Sequence, residues 1–289
     1  MNEDILSILE YKMPTFSKGQ KRIAALICES YDKTAFMTAS CLGKQVGVSE
    51  STVVRFAMEL GYDGYPQMQK AMQDMVLNRL TAVQRMGVTQ NRIRSQDIVS
   101  TVLQCDLEKI RQTAETIDRE VFQQAVQSIC NADNIYILGV RSTAALANFL
   151  GYYFQFMFDK VHIVTNTNSG DVLEQLINIK SNDAVVAYSF PRYSASTVEG
   201  VAYCRNIGAS IIGITNSMVS PLATLCDYVL IAKSDMVSVV DSLVAPLSLS
   251  NALIVALASA KDDVLRHKFD KLEQIWQSHH IYENEGNSI

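Results

Sequence analysis

Two regimes of hydrophobic spacing divide the chain. From residue 1 to about 86 the apolar positions recur with helical period, and no run reads convincingly as a strand. Ser17 stands ahead of Ile23, Leu26 and Ile27, apolar at i, i+3 and i+4, and reads as the N-cap of a helix. Ala39, Leu42 and Val46 mark the face of a short helix, and Val53, Phe56, Ala57 and Leu60 that of another. A longer helix is predicted from about Gly64 to Arg85, with Met68, Met72, Met75 and Val76 on one side. The stretch Gly87 to Ser95 is polar and aperiodic, which predicts a linker over 87–95.

Beyond it the pattern changes. Helical runs over about Gln96–Ile117 and Arg119–Asn131 lead into short β-branched runs that alternate with helical ones. The predicted strands are Asn134–Leu138, Val161–Val164, Ala184–Ser189, Ser210–Thr215 and Tyr228–Ile231. Helices are predicted between them at Thr143–Phe158, Gly170–Asn178, Ser196–Asn206 and Pro221–Leu225. Such alternation builds βαβ units, a parallel sheet with helices on both faces. The expected fold is therefore an all-α N-terminal domain over 1–86 and an α/β C-terminal domain over 96–289.

Charge sharpens this division. The chain of 289 residues carries a net charge of −5, but residues 1–86 hold ten Lys/Arg against nine Asp/Glu (+1), and the remainder fifteen against twenty-one (−6). Any nucleic-acid contact belongs to the first part and is local rather than a broad basic face. The six cysteines are scattered, without Cys-x-x-Cys or Cys/His ligand spacing, so neither metal nor disulfide framework is expected, and they read as small core residues of a reducing compartment. The acidic opening Met1-Asn2-Glu3-Asp4 is not a secretory signal. Leu243 to Ala260 lacks any charge, but Pro246, Asn251 and the serines before it favour a buried or dimer-interface helix over a membrane span. A cytoplasmic protein is expected.

The stretch Thr38 to Tyr65 carries the first candidate chemistry. A helix-turn-helix needs a short helix, a tight turn and a capped second helix. Gly47 suits the turn and Ser49 the cap, leaving Glu50, Ser51, Thr52 and Arg55 on the exposed N-terminal side. That end of such a helix faces base edges in the major groove. Arg55 can read guanine or grip a phosphate, Ser51 and Thr52 do either at shorter reach, and Lys44, Tyr62, Tyr65 and Lys70 stand where backbone contacts are expected. Ser49, Ser51, Thr52, Arg55, Lys44, Tyr65 and Lys70 are the candidate DNA-binding residues.

The run from Gly47 to Phe56, followed by Leu60-Gly61-Tyr62 and Gly64-Tyr65, resembles the N-terminal domain of RpiR-family regulators, across about residues 1–80. The resemblance implies a dimeric or higher-order protein that binds palindromic operators.

In an open parallel sheet, ligands sit beyond the carboxyl ends of the strands, where strand order reverses. Three loops qualify: Gly139 to Thr143, Ser189 to Ser194, and Thr215 to Leu222. Hydroxyls, helix N-termini and two arginines make an anion site there, with Arg141, Ser142, Thr143, Ser189, Arg192, Tyr193 and Ser194 as candidates. The plainer reading keeps the serines as helix caps and the arginines as surface ion pairs. Residues from about 130 to 260 resemble a SIS (sugar isomerase) domain of flavodoxin-like topology, which implies binding of phosphosugars through serine and threonine hydroxyls. The chain departs from that family pattern. Arg141 takes the second glycine of the usual Gly-x-Gly-x-Ser loop, and Thr143 its serine. Pro191 and Arg192 replace the second serine and the glycine of Ser-x-Ser-Gly-x-Thr, a loop that here ends at Ser194. Loss of glycine is expected to remove the close backbone approach of a phosphate nest, and the arginines to supply bidentate donors suited equally to carboxylate.

The alternative is a SIS-domain sugar-phosphate isomerase, which needs a positioned acid or base. His162 lies in a predicted strand, and His267, His279 and His280 in the C-terminal helical tail; no catalytic residue is nominated. A repressor that senses a small anion, without cofactor, metal or membrane, is the expected function, as a homodimer or tetramer on double-stranded DNA.

Overall fold

The computed structural model describes residues 5–79, 97–165, 168–234 and 241–281. It divides into two compact units, Met1–Arg92 and Ile93–Ile289. The expected linker over 87–95, and the far end of the helix expected to reach Arg85, lie outside the described residues.

The first unit is helical: α1 (Ile5–Lys12), α2 (Lys18–Glu29), α3 (Tyr31–Thr34), α4 (Ala39–Val46), α5 (Glu50–Glu59) and α6 (Tyr65–Arg79). A full capping box starts α2, as the Ser17 hydroxyl accepts from Gln20 N and Ser17 N donates to the Gln20 side chain at 2.8 Å. Leu9, Ile23, Ile27, Leu42, Val53, Phe56, Met68 and Met72 are fully buried in one core, where the Phe16 and Phe56 rings meet edge to face with centroids 5.2 Å apart. Burying eight side chains of this size removes on the order of 10 to 20 kcal/mol of apolar exposure, before the cost of ordering the chain.

The second unit opens with α7 (Ile98–Thr116) and α8 (Arg119–Asn131). It continues β1 (Ile135–Leu138), α9 (Ala144–Met157), β2 (Val161–Val164), α10 (Ser169–Gln175), β3 (Ala184–Tyr188), α11 (Ala195–Ile207), β4 (Ser210–Thr215), β5 (Tyr228–Ile231), α12 (Val244–Ala260) and α13 (Asp262–Ser278). All five strands are parallel, in the order β2-β1-β3-β4-β5. One face, through Ile135, Ile137, Val186, Tyr188 and Ile214, packs on α8, α9 and α12; the other, through Tyr136, Leu138, Val185 and Ile211, packs on α10 and α11. Because β1 and β3 are covered on both sides, all their residues are buried, which explains their unbroken apolar runs. The expected helix at Pro221–Leu225 is only a short 3-10 turn, Ala223–Leu225.

The uncharged run from Leu243 resolves into α12, whose Leu249, Leu253 and Leu257 face the sheet core. Ser250, fully buried, donates to the Pro246 carbonyl at 2.9 Å and meets the Tyr188 hydroxyl at 2.8 Å. Among the described residues no single helix is long and apolar enough to cross a membrane.

Candidate DNA-reading head and effector crevice

In the first unit, Gly47 adopts φ 67° at the end of α4, the left-handed conformation that the turn requires. Ser49 caps α5: its hydroxyl accepts from Thr52 N at 3.3 Å and also lies 2.9 Å from Ser51 Oγ and 2.8 Å from Thr52 Oγ1. Val53, Phe56 and Ala57 are buried, while Glu50, Ser51 and Arg55 are exposed on the opposite side. The Arg55 Nε donates to Ser51 O at 3.4 Å, which leans the side chain along the N-terminal half of the helix. Lys44 and Lys70 are exposed as well.

Tyr65 departs from the expectation of a backbone contact. It is 4% exposed, and its hydroxyl donates to the Met37 carbonyl at 2.6 Å, beside Gln69, which donates to the same oxygen at 2.7 Å. Burial pushes its phenol up to about 12. Tyr65 therefore ties α6 to the segment before α4 rather than reaching solvent.

The structure adds a residue that motif spacing does not reveal. A Cβ added at Gly19 would stand 3.4 Å from Val48 Cγ1 and 4.0 Å from Thr52 Cγ2, so the first turn of α2 abuts the start of α5. From there Arg22 Nη2 donates to the Gly47 carbonyl at 3.4 Å, across the turn. Lys18, Lys21 and Arg22, all cationic, thus stand beside the reading helix; the only sequence signal for them is their clustering just after the Ser17 cap.

In the second unit, strand order reverses between β1 and β3. The expected loops leave from these adjacent strands, paired through Leu138↔Ala187. Gly139 permits the first loop to close: a Cβ there would stand 2.7 Å from Thr143 O and 3.0 Å from Ala147 Cβ. The Thr143 hydroxyl is already committed, donating to Val140 O at 2.8 Å, while Ser142 and Arg141 are exposed. In the second loop Tyr193 donates to Asn216 Oδ1 at 2.9 Å, bracing it against the loop after β4. Ser194 sits at the N-cap of α11 but makes no capping bond; its hydroxyl meets Ser196 Oγ at 2.9 Å instead.

Two features mark this crevice. Ser189 Oγ and Thr197 Oγ1 are buried hydroxyls without a hydrogen-bond partner in the structure. A buried hydroxyl left unpaired costs about 1–3 kcal/mol, so the pair is poised for an acceptor. The second is that Arg141 and Arg192 adopt φ 57° and φ 65°. Both stand where the family pattern has glycine, and both keep the left-handed backbone that glycine would supply. The expected loss of the nest backbone is thus not what the structure shows: the turn survives, at about 1–2 kcal/mol for each non-glycine residue in that region. Among the described residues neither guanidinium has an ion-pair partner.

The histidines stand apart from this crevice. His162 is on β2, stacked on Tyr136 with ring centroids 4.5 Å apart, and His267 is on α13. Cys204 and Cys226 are thiols pushed up to about 12 by burial, as core cysteines should be, whereas Cys41 is exposed.

Comparison with known proteins agrees with both halves. A family model for the helix-turn-helix domain of the rpiR family matches residues 3–78, and one for the SIS domain matches residues 128–256. An uncharacterized HTH-type transcriptional regulator of Caldanaerobacter subterraneus is 23% identical over 275 residues, 91% of this chain and 94% of that protein. Another, from Clostridium perfringens, is 23% identical over 225 residues, 78% of this chain and 80% of its own length. The sugar isomerase domain of an RpiR transcription factor from Sphaerobacter thermophilus aligns at TM-score 0.59 and 27% identity, over 62% of this chain and 99% of that one. The Vibrio vulnificus NanR protein, solved with ManNAc-6P, shares the fold over 97% of this chain and all of its own length, at TM-score 0.60 and 20% identity. With an rpiR-type helix-turn-helix joined to a SIS domain, and with relatives that are HTH-type transcriptional regulators, the chain belongs to the RpiR family of transcriptional regulators.

Proposed function

We propose that this regulator is a repressor whose SIS domain senses a small anionic metabolite, a phosphosugar or a carboxylate, and thereby alters how its helix-turn-helix heads hold operator DNA. The observation that carries the sensing half is the crevice between β1 and β3, where two buried unpartnered hydroxyls and two arginines without ion pairs meet the start of α11. Hydroxyls and helix N-terminal amides hold an anion by hydrogen bonds that need no reorganisation. Ser189, Thr197, Arg141 and Arg192 are the assigned ligands, and Ser142 and Ser194 line the same loops. Two solved proteins of this fold support the ligand class: NanR was solved with ManNAc-6P, and an Escherichia coli protein of 18% identity and TM-score 0.51 was also solved with a phosphosugar.

For DNA, the outer edge of α5 supplies Ser51, Thr52 and Arg55, while Lys44, Lys70, Lys18, Lys21 and Arg22 supply phosphate contacts. Ser49 acts mainly by holding the start of α5. The working form is a homodimer in the cytoplasm, because palindromic operators present two half-sites to paired heads. Val99, Leu103 and Leu107 recur every four residues along α7 and are 65%, 59% and 60% exposed, an apolar stripe suited to a second copy. The fusion of the sensing fold to a DNA-reading head favours regulation over isomerase chemistry.

Thermal unfolding of the full chain across sugar phosphates, amino sugars and small carboxylates tests this reading. A ligand at a hundred times its Kd stabilises the native state by about 2.7 kcal/mol and raises the midpoint. A shift with at least one anion, absent in Arg192→Ala, is expected. No shift with any of them would remove the assigned site.

A further inference from the structure

The crevice holds more positive charge than a phosphoryl group needs. The parts that bind phosphate in glycine-loop sites are all retained: left-handed turns after β1 and β3, an α11 N-terminus without a side-chain cap, and two buried hydroxyls with no partner, Ser189 and Thr197. Two guanidiniums are then added. They occupy neighbouring loops, since β1 and β3 lie side by side, about 4.8 Å apart as parallel strands do. Each sits in a backbone region where glycine is the comfortable residue, so the side chain is there in spite of the turn rather than because of it. Asp171 lies in the first turn of α10 and Glu199 further along α11, yet among the described residues neither pairs with Arg141 or Arg192.

We infer that the effector carries a carboxylate as well as a phosphoryl group, and belongs to the class of phosphorylated sugar acids. The phosphoryl group sits on the hydroxyls and backbone amides at the start of α11, and the carboxylate on Arg141 and Arg192, whose planar forks match it in bidentate fashion. This rests on the anion-site reading above and narrows it to one ligand class.

The test uses matched pairs with one carbon skeleton: five- and six-carbon aldose phosphates, their aldonic acid phosphates, and the unphosphorylated aldonic acids, each titrated calorimetrically into the full chain. The acid phosphate is expected to bind at least about tenfold more tightly than both partners of its set, the ratio that one charge-assisted pair supplies. In Arg141→Gly/Arg192→Gly, which suits the left-handed turns and so keeps the fold, that ratio should fall towards one. Equal binding of aldose phosphate and acid phosphate by the parent chain would overturn this inference and leave the anion site standing, with the arginines holding the phosphoryl group itself. A ratio unchanged in the double variant would also overturn it. Failure of every member to bind would overturn the site reading together with the inference.

Discussion

At the scale of single residues, the informative positions are those whose backbone or burial contradicts their chemistry. Arg141 and Arg192 are long, charged side chains on left-handed backbone. Replacing either with glycine should raise stability or leave it unchanged, because the gain of up to about 1–2 kcal/mol from relieving the turn opposes the entropy glycine adds to the unfolded chain. Chemical denaturation checks this, and a loss above about 1 kcal/mol would mean that the guanidiniums hold the loops. Arg55 is the opposite case, ordinary in backbone and placed by its helix. Arg55→Ala should weaken operator binding by about 1–3 kcal/mol without loss of helical circular dichroism; unchanged affinity in a folded protein would remove its role. Tyr65 shows what motif reading does not see. Its polar ring reads as a DNA contact in sequence, but the hydroxyl is spent on Met37 O inside the head. Tyr65→Phe should cost about 0.5–1.5 kcal/mol, at the low end because Gln69 still donates to the same carbonyl. The phenol also predicts an alkaline effect. Because its folded value lies near 12 and the ordinary value is 10, the unfolded chain ionises first. Its contribution is complete below pH 10 and is lost as pH rises towards 12, a slope that Tyr65→Phe removes.

At the scale of elements, most of the fold is written in period and punctuation. Val161–Val164, Ser210–Thr215 and Tyr228–Ile231 are legible to the residue because a β-branched run ends abruptly at polar or glycine positions. Arg119–Asn131 is legible because Asp118 caps it and its apolar face repeats without a gap. Two elements are less so. The Pro221 segment has helical composition but only one turn, and α10 stops at Gln175, three residues short of the expected end. The candidate loops are legible from topology alone, since ligands gather where strand order reverses. Their chemistry is only half legible: that two hydroxyls are orphaned, and that two arginines keep glycine's conformation, depends on packing and dihedral angles that no spacing encodes. Arg22 belongs here as well, because only the contact of α2 with the start of α5 brings it to the reading turn. The Gly139 loop offers a test at this scale. Gly139→Ala places a methyl 2.7 Å from Thr143 O, so the loop must move. Weakened effector binding with an intact head is expected, read as a lost ligand-induced rise in the unfolding midpoint alongside unchanged operator affinity.

At the scale of the molecule, the account joins a DNA-reading unit to a sensing unit through the equilibrium between assembled arrangements. An effector shifts that equilibrium only by binding one arrangement more tightly than the other. Paired heads are needed for a palindromic site, and α7 presents the apolar stripe for pairing. Leu103→Glu, at an exposed position, should leave the fold intact, shift sedimentation towards the monomer and weaken operator binding together. A dimer of undiminished strength would place the contact elsewhere, with the exposed Leu247 and Val255 of α12 as the next surface to try. The measurement that bears most directly on the central claim is fluorescence anisotropy of the full chain on an operator selected from a random duplex pool, with and without the tightest anion found. The account predicts tight, salt-sensitive binding that the anion changes by about fivefold or more in the parent chain and leaves unchanged in Arg192→Ala. An operator affinity indifferent to every anion that binds the crevice would contradict it.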